Sequence, residues 1–119
     1  MSWLERRVAR VPLRRRLVAG FVATMLVLLT GMLEGHKPGD LYEPLAHITD
    51  EAHFVPVQFH RSRNPSDLMR DAGWLFERSY SHATMLDGLN ACIAAKADTV
   101  LVTGSFYLVG EVGRFIGLG

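Results

Sequence analysis

The sequence predicts an α/β fold, a Rossmann-like and mostly parallel sheet with helices on both faces. Three observations lead there. Short apolar runs bounded by polar residues fall at Met25–Leu29, Phe54–Val57 and Thr99–Thr103, with a shorter one at Trp74–Glu77, and such runs read as buried strands. Segments of helical spacing alternate with them, and that alternation implies parallel strands joined by right-handed crossovers. The runs are apolar nearly throughout rather than at every second residue, which places cover on both faces of the sheet.

Taken in order, Met25–Leu29 is followed by a helix over Asp40–His47, and Asp50-Glu51 then reads as an exposed turn. Phe54–Val57 leads to a helix at Ser66–Ala72 and to Trp74–Glu77, where Trp74 and Phe76 are expected in the core. In the next helix, His82–Ala95, residues Met85, Leu86, Leu89, Cys92 and Ile93 form the stripe of a face packed on a sheet. Thr99–Thr103 is the last strand, and Phe106, Val109, Val112, Phe115 and Ile116 give a closing helix over Phe106–Ile116. No internal repeat or low-complexity linker interrupts the pattern.

A chain of 119 residues forms one domain with a modest core. Its 49% hydrophobic content is too high for disorder. The formal charge of +1 conceals an asymmetry, because the first sixteen residues carry six arginines against Glu5. The remainder carries seven basic and eleven acidic residues, a sign that argues against a nucleic-acid-binding surface. Cys92 is the only cysteine, so no internal disulfide forms and a reducing cytoplasm is the expected compartment. Among Leu89, Ala91, Ile93 and Ala94 it is expected as a packed helix residue.

The head reads differently. Leu17 to Leu33 holds no charged residue and follows an arginine-rich flank, the pattern of a signal anchor. Its seventeen residues sit at the lower limit for a spanning helix, diluted by Gly20, Thr24, Thr30 and Gly31. Met25–Leu29 cannot be both half of that helix and a sheet strand. The expectation is therefore a chain that does not span a membrane, with an inner-membrane anchor through residues 17–33 as the alternative. Residues 1–24 and 25–119 form the two parts of this reading.

Function is most legible after the last strand. Thr99–Thr103 runs into Gly104 and Ser105 and then into the closing helix. Glycine lets the backbone bend there or approach a ligand, and serine caps a helix start. A helix N-terminus beyond such a strand is where α/β proteins bind anions, although capping alone is the plainer reading. The string Val102-Thr103-Gly104-Ser105-Phe106-Tyr107-Leu108-Val109-Gly110-Glu111-Val112 closely resembles the end of folylpolyglutamate synthase/dihydrofolate synthase, of the Mur ligase family.

Further matches follow in family order. Met25 to Asp40 resembles the family's strand, its Gly31-Met32-Leu33 turn and a short charged loop. Tyr42–Ala46 and Phe54–Val57 resemble the next helix and strand, and His60–Pro65 stands at a loop carrying proline and arginine. The resemblance covers about residues 25 to 119. Residues 1–24 lack the Asp-Gly-Ala-His-Asn-Pro motif that ends the family's first strand, leaving Leu13–Thr24 for the helix after it. No Gly-x-x-x-x-Gly-Lys-[Ser/Thr] phosphate loop occurs.

The resemblance implies the C-terminal part of an ATP-dependent ligase that joins glutamate to folate, lacking the family's first strand. ATP and Mg would be held largely by a domain outside this sequence, so the chain alone is expected to be inactive and to hold neither. Folate and glutamate are the implied partners. A missing preceding strand would leave an unpaired edge or an uncovered face, hence a hydrophobic patch, beside the Met25 strand, and either invites self-association. The candidate nucleotide- or substrate-binding residues are Gly104, Ser105 and Phe106, whose backbone and hydroxyl suit a carboxylate, together with His36 and Lys37. His36 falls where the family often has a lysine and Lys37 stands one place later, a departure for which a solvated loop is the plainer reading.

No catalytic residue is assigned. Arg61 and Arg63 flank a loop suited to an anion, with a solvated loop again the default. His47, His53, His60 and His82 have no metal-ligand spacing and read as structural or surface residues. Two other functions fit the sequence: a small membrane-anchored α/β protein that binds a partner, and a free-standing anion- or nucleotide-binding module.

Overall fold

The computed structural model describes residues 16–18, 21–23 and 25–117. Strands β1 (Arg16–Val18) and β2 (Phe21–Ala23) pair antiparallel as a two-stranded unit apart from the main sheet. The described part of Leu13–Thr24 is therefore strand and not the expected helix, in keeping with the strand preference of Val18, Phe21 and Val22. The other residues of 1–24 lie outside those described.

The main sheet comprises β3 (Leu26–Thr30), β4 (Glu51–Phe54), β5 (Arg78–Ser81) and β6 (Thr99–Thr103). Between and after them run helices α1 (Pro38–Ala46), α2 (Pro65–Ala72), α3 (Met85–Ala94) and α4 (Phe106–Phe115), with a 3-10 turn at Gly73–Leu75. The strand order is β5-β4-β3-β6 and every pairing is parallel. The strand after Met25 is thus interior, paired on both sides. This corrects the expectation of an open edge beside it, because the outer strands of the described sheet are β5 and β6.

Helices cover both faces. On one, Val27, Leu29, Val100 and Val102 meet Leu89 and Cys92 of α3 and Leu108 and Val112 of α4. On the other, Leu28, Leu101 and Phe54 meet Tyr42 of α1 and Leu68 of α2. Alternate residues of β3 and β6 feed opposite cores, so both strands are apolar throughout. No helix among the described residues is long and apolar enough to cross a membrane, and Leu26–Thr30 is a strand.

Several expected positions move. β4 begins at Glu51, three residues before the expected start, and it takes in the buried Glu51 and His53. Val55–Val57 leaves the ladder at Pro56, which has no N–H to donate. Glu51 is accordingly no part of an exposed turn. Trp74–Glu77 is not a strand: Gly73–Leu75 is a 3-10 turn, Trp74 is 76% exposed, and Phe76 is buried in the core with Leu75 packed against it. Helix α3 starts at Met85 rather than His82 because Thr84 Oγ1 accepts the Asp87 N–H at 3.1 Å. Its buried stripe is Met85, Leu89 and Cys92, with Leu86 and Ile93 exposed. In α4 the buried residues are Leu108 and Val112, whereas Phe106 and Phe115 face outward.

Candidate functional site

All four strands of the main sheet point the same way, so their C-terminal ends share one rim, where ligands of open parallel sheets bind. The rim consists of the segments after β3 (from Gly31), after β4 (from Val55), after β5 (from His82) and after β6 (Gly104 and Ser105). Two glycines draw three of them together. Gly104 has φ +111°, and a Cβ there would stand 2.1 Å from the Gly31 carbonyl oxygen and 2.7 Å from Thr30 Oγ1. A Cβ on Gly31 would stand 2.5 Å from the Val55 carbonyl oxygen. Only glycine permits these approaches.

Backbone hydrogen bonds join the rim segments further on. Glu34 N–H donates to Arg61 O at 2.7 Å and Arg63 N–H to Met32 O at 2.8 Å, around a bridge between Leu33 and Ser62. The Gly31–Lys37 loop and the Phe59–Arg63 loop therefore form one unit. Arg63 pairs with Asp71 of α2 and is not a free anion ligand, while Arg61 is exposed.

The predicted binding residues fall into two groups. Gly104, Ser105 and Phe106 lie at the β6–α4 junction against Gly31. Ser105 is the N-cap of α4, its backbone extended and its Oγ accepting the Tyr107 N–H at 3.1 Å. Phe106 begins the helix and is 73% exposed. Tyr107 stacks on Phe59 with centroids 4.7 Å apart, tying the start of α4 to the loop after β4. His36 and Lys37 stand farther along the Gly31 loop, both exposed, with Lys37 the N-cap position of α1. No described hydrogen bond or ion pair joins them to Ser105.

Two shallow clefts lie elsewhere, and neither is lined by a predicted binding residue. One of about 440 Å³ is lined by Gln58, Thr84, Met85, Glu111, Arg114 and Phe115. Glu111 Oε2 is buried there without a hydrogen-bond partner, and burial raises its pKa against the opposing charge of Arg114. The other, about 400 Å³, lies between α1 and Trp74.

Sequence reasoning missed one polar network. Glu51, His53 and His82 are joined by contacts of 2.8 Å each, and Arg78 Nε donates to Glu51 at 3.0 Å. Burial alone would raise the pKa of Glu51, but hydrogen bonds from His53 and Arg78 with their charges outweigh it, and the net shift is down. The spacing of Glu51 and His53 is the legible signal, since residues two apart on a strand share a face. Among the described residues no group of three or more His, Cys, Asp or Glu is arranged to hold a metal ion.

A four-stranded parallel sheet between two helical layers, with its loops gathered at the strand C-termini, defines a Rossmann-like α/β domain. Solved structures with this arrangement include folylpolyglutamate synthases. E. coli FolC in complex with ADP superposes with a TM-score of 0.67 at 26% identity, covering 78% of this chain and 22% of that one. The Mycobacterium tuberculosis folylpolyglutamate synthase complexed with ADP and AMPPCP gives 0.71 at 19% identity over 83% and 25%. The bifunctional folylpolyglutamate synthase/dihydrofolate synthase of Yersinia pestis, with AMPPNP and Mn ion, gives 0.68 at 18% over 80% and 23%. The chain thus spans less than about a quarter of the E. coli protein it resembles. No family model and no curated protein matches it.

Proposed function

We propose that this chain acts as the C-terminal-type domain of a folate–glutamate ligase, contributing to nucleotide and glutamate binding at the rim of its sheet. The observation that carries the reading is the junction Gly104-Ser105. The string that resembles the family sits at a helix N-terminus, held against Gly31 by an approach that only glycine allows. Such a helix end offers backbone N–H groups and the positive end of a dipole to a carboxylate or phosphate. Lys37, beside His36, adds positive charge along the adjoining loop.

The residues present do not fit a complete ATP–Mg site. The sequence has no phosphate loop, and the Ser105 hydroxyl is engaged in capping α4. This chain's part is to bind and orient an anionic group at the rim, while phosphoryl transfer needs positioning groups from another domain. The localisation in keeping with this activity is cytoplasmic. Association between copies is expected at β5, an outer strand of the described sheet whose residues are only partly buried whereas those of β6 are buried throughout, and light scattering at rising concentration tests it.

Calorimetry of the purified chain with L-glutamate and with ADP tests the binding. The expected result is weak binding of either ligand that falls severalfold in K37A, with no folylpolyglutamate formed from ATP, magnesium, folate and glutamate. Binding of neither ligand would overturn the proposal. Binding of ADP with turnover that vanishes in S105A would replace it with an autonomous enzyme.

A further inference from the structure

Glu51 and His53 alternate along β4, so both project to the face covered by α3. Glu51 Oε1 accepts from Arg78 Nε at 3.0 Å, and Glu51 Oε2 lies 2.8 Å from His53 Nε2. His53 Nδ1 lies 2.8 Å from His82 Nε2. A carboxylate only accepts, so His53 Nε2 carries a proton. With both rings neutral, His82 Nε2–H then donates to His53 Nδ1, and His82 Nδ1 keeps its lone pair.

The pair can take up one further proton without breaking. His53 becomes an imidazolium that donates to Glu51 and to His82 Nε2, and the His82 proton moves to Nδ1. A second proton would set N–H against N–H across 2.8 Å. Around these rings stand Glu51 on β4, Arg78 and Tyr80 on β5, Glu77 beside Arg78, and Asp87 and Cys92 on α3. β3 brings no titratable group to this face. Burial and then the His53 charge lower the pKa of His82, with Asp87 opposing them.

The pair sits where it can control a strand. β5 is an outer strand, whereas α3 packs on β3 and β4. On this face β5 is tied down by the Arg78–Glu51 pair, by Tyr80 stacked on His53 at 5.0 Å, and by His82, the residue that follows it. We propose that His53 and His82 form a latch on β5 that tolerates one added proton, and that the second proton frees His82 and loosens the strand. The latch is closed at neutral pH and opens on acidification.

Histidine side-chain nitrogen spectra at about pH 7.5 should show scalar coupling across the His53–His82 bond, lost toward about pH 5. Amide exchange of Ser79–Ser81, divided by that of Val100–Val102 and corrected for intrinsic rates, reads the strand itself. Protection of β5 relative to β6 is expected to fall about tenfold per pH unit once the second proton binds. H82Q should abolish that slope. Absence of the coupling at neutral pH, a relative protection independent of pH, or a slope retained in H82Q would each overturn the latch. Should H82Q lose β5 outright, the coupling and the slope in the unaltered protein still decide.

Discussion

Thr30→Val and Tyr42→Phe, alone and together, probe the buried hydroxyl pair that ties α1 to β3 and β6. Thr30 Oγ1 donates to Thr103 O at 2.8 Å, which commits its only proton across the β3–β6 pair. The Tyr42 hydroxyl, 2.8 Å from the same oxygen, is therefore the donor to Thr30. Both residues are fully buried, and burial holds the Tyr42 pKa well above its ordinary value, so the phenol stays protonated. Tyr42→Phe removes one donor and leaves a hydroxyl oxygen short of one partner, a loss of about 1 kcal/mol. Thr30→Val strands the Tyr42 O–H as a buried donor and takes a partner from Thr103 O, a loss of about 2–3 kcal/mol. The double variant has neither hydroxyl left to satisfy and should cost about 1–2 kcal/mol, so the pair couples by about 2 kcal/mol. Denaturant unfolding of the four proteins measures each value. Additivity within about 0.5 kcal/mol, or Tyr42→Phe costing more than Thr30→Val, would refute the assigned bond directions.

The other predictions concern separate parts of the molecule. Gly104→Ala combines a positive φ with a Cβ pressed 2.1 Å from a carbonyl oxygen, and a loss of about 3 kcal/mol or more is expected in the same unfolding assay. Phe76→Ala should cost about 3–5 kcal/mol whereas Trp74→Ala, at an exposed side chain, should cost under about 1 kcal/mol. Cys92 is fully buried and burial pushes its thiol up to about 12, so a thiol reagent should react with it only after unfolding. Glu51 has a folded pKa below its ordinary 4.5, so its stabilisation is complete above that value and lost as pH falls through the folded one. Unfolding midpoints measured against pH should therefore lose part of their acid limb in Glu51→Gln.

Where one physical requirement dominated, the sequence was easy to read. β3 and β6 must be apolar on both sides because helices cover both faces, and the two strands lie within a residue of their expected bounds. α2 was equally plain, since Asn64 accepts the Ser66 N–H and Pro65 opens the helix. The outer strands were not plain. β5 carries Arg-Ser-Tyr-Ser, is half-buried, and makes its case through partners distant in sequence. The apolar run before it, Trp74-Leu75-Phe76, is no strand: Phe76 is buried, Leu75 packs against the core and Trp74 faces outward. β4 shows the same conflict: Glu51 and His53 look like surface residues until each supplies the other's missing partner.

Of the candidate site, the Gly-Ser turn was legible and its surroundings were not. Gly104 was readable as a bend, but its need to be glycine comes from a second glycine 73 positions away, whose carbonyl fills the space a side chain would take. Gly31 in turn gives way to the Val55 carbonyl, so strand ends from three crossovers are packed backbone to backbone. This close packing follows from parallel pairing in register, where Thr30 lies beside both Thr103 and Phe54. No local pattern encodes it. The same packing divides the roles at the rim: the glycines fix where the α4 N-terminus points, and Ser105 holds its first turn. Neither leaves a side chain to choose among anions. In the proposed function, discrimination between ligands therefore falls to the exposed loop that carries His36 and Lys37, and substitutions there should change which anion binds while leaving the fold intact.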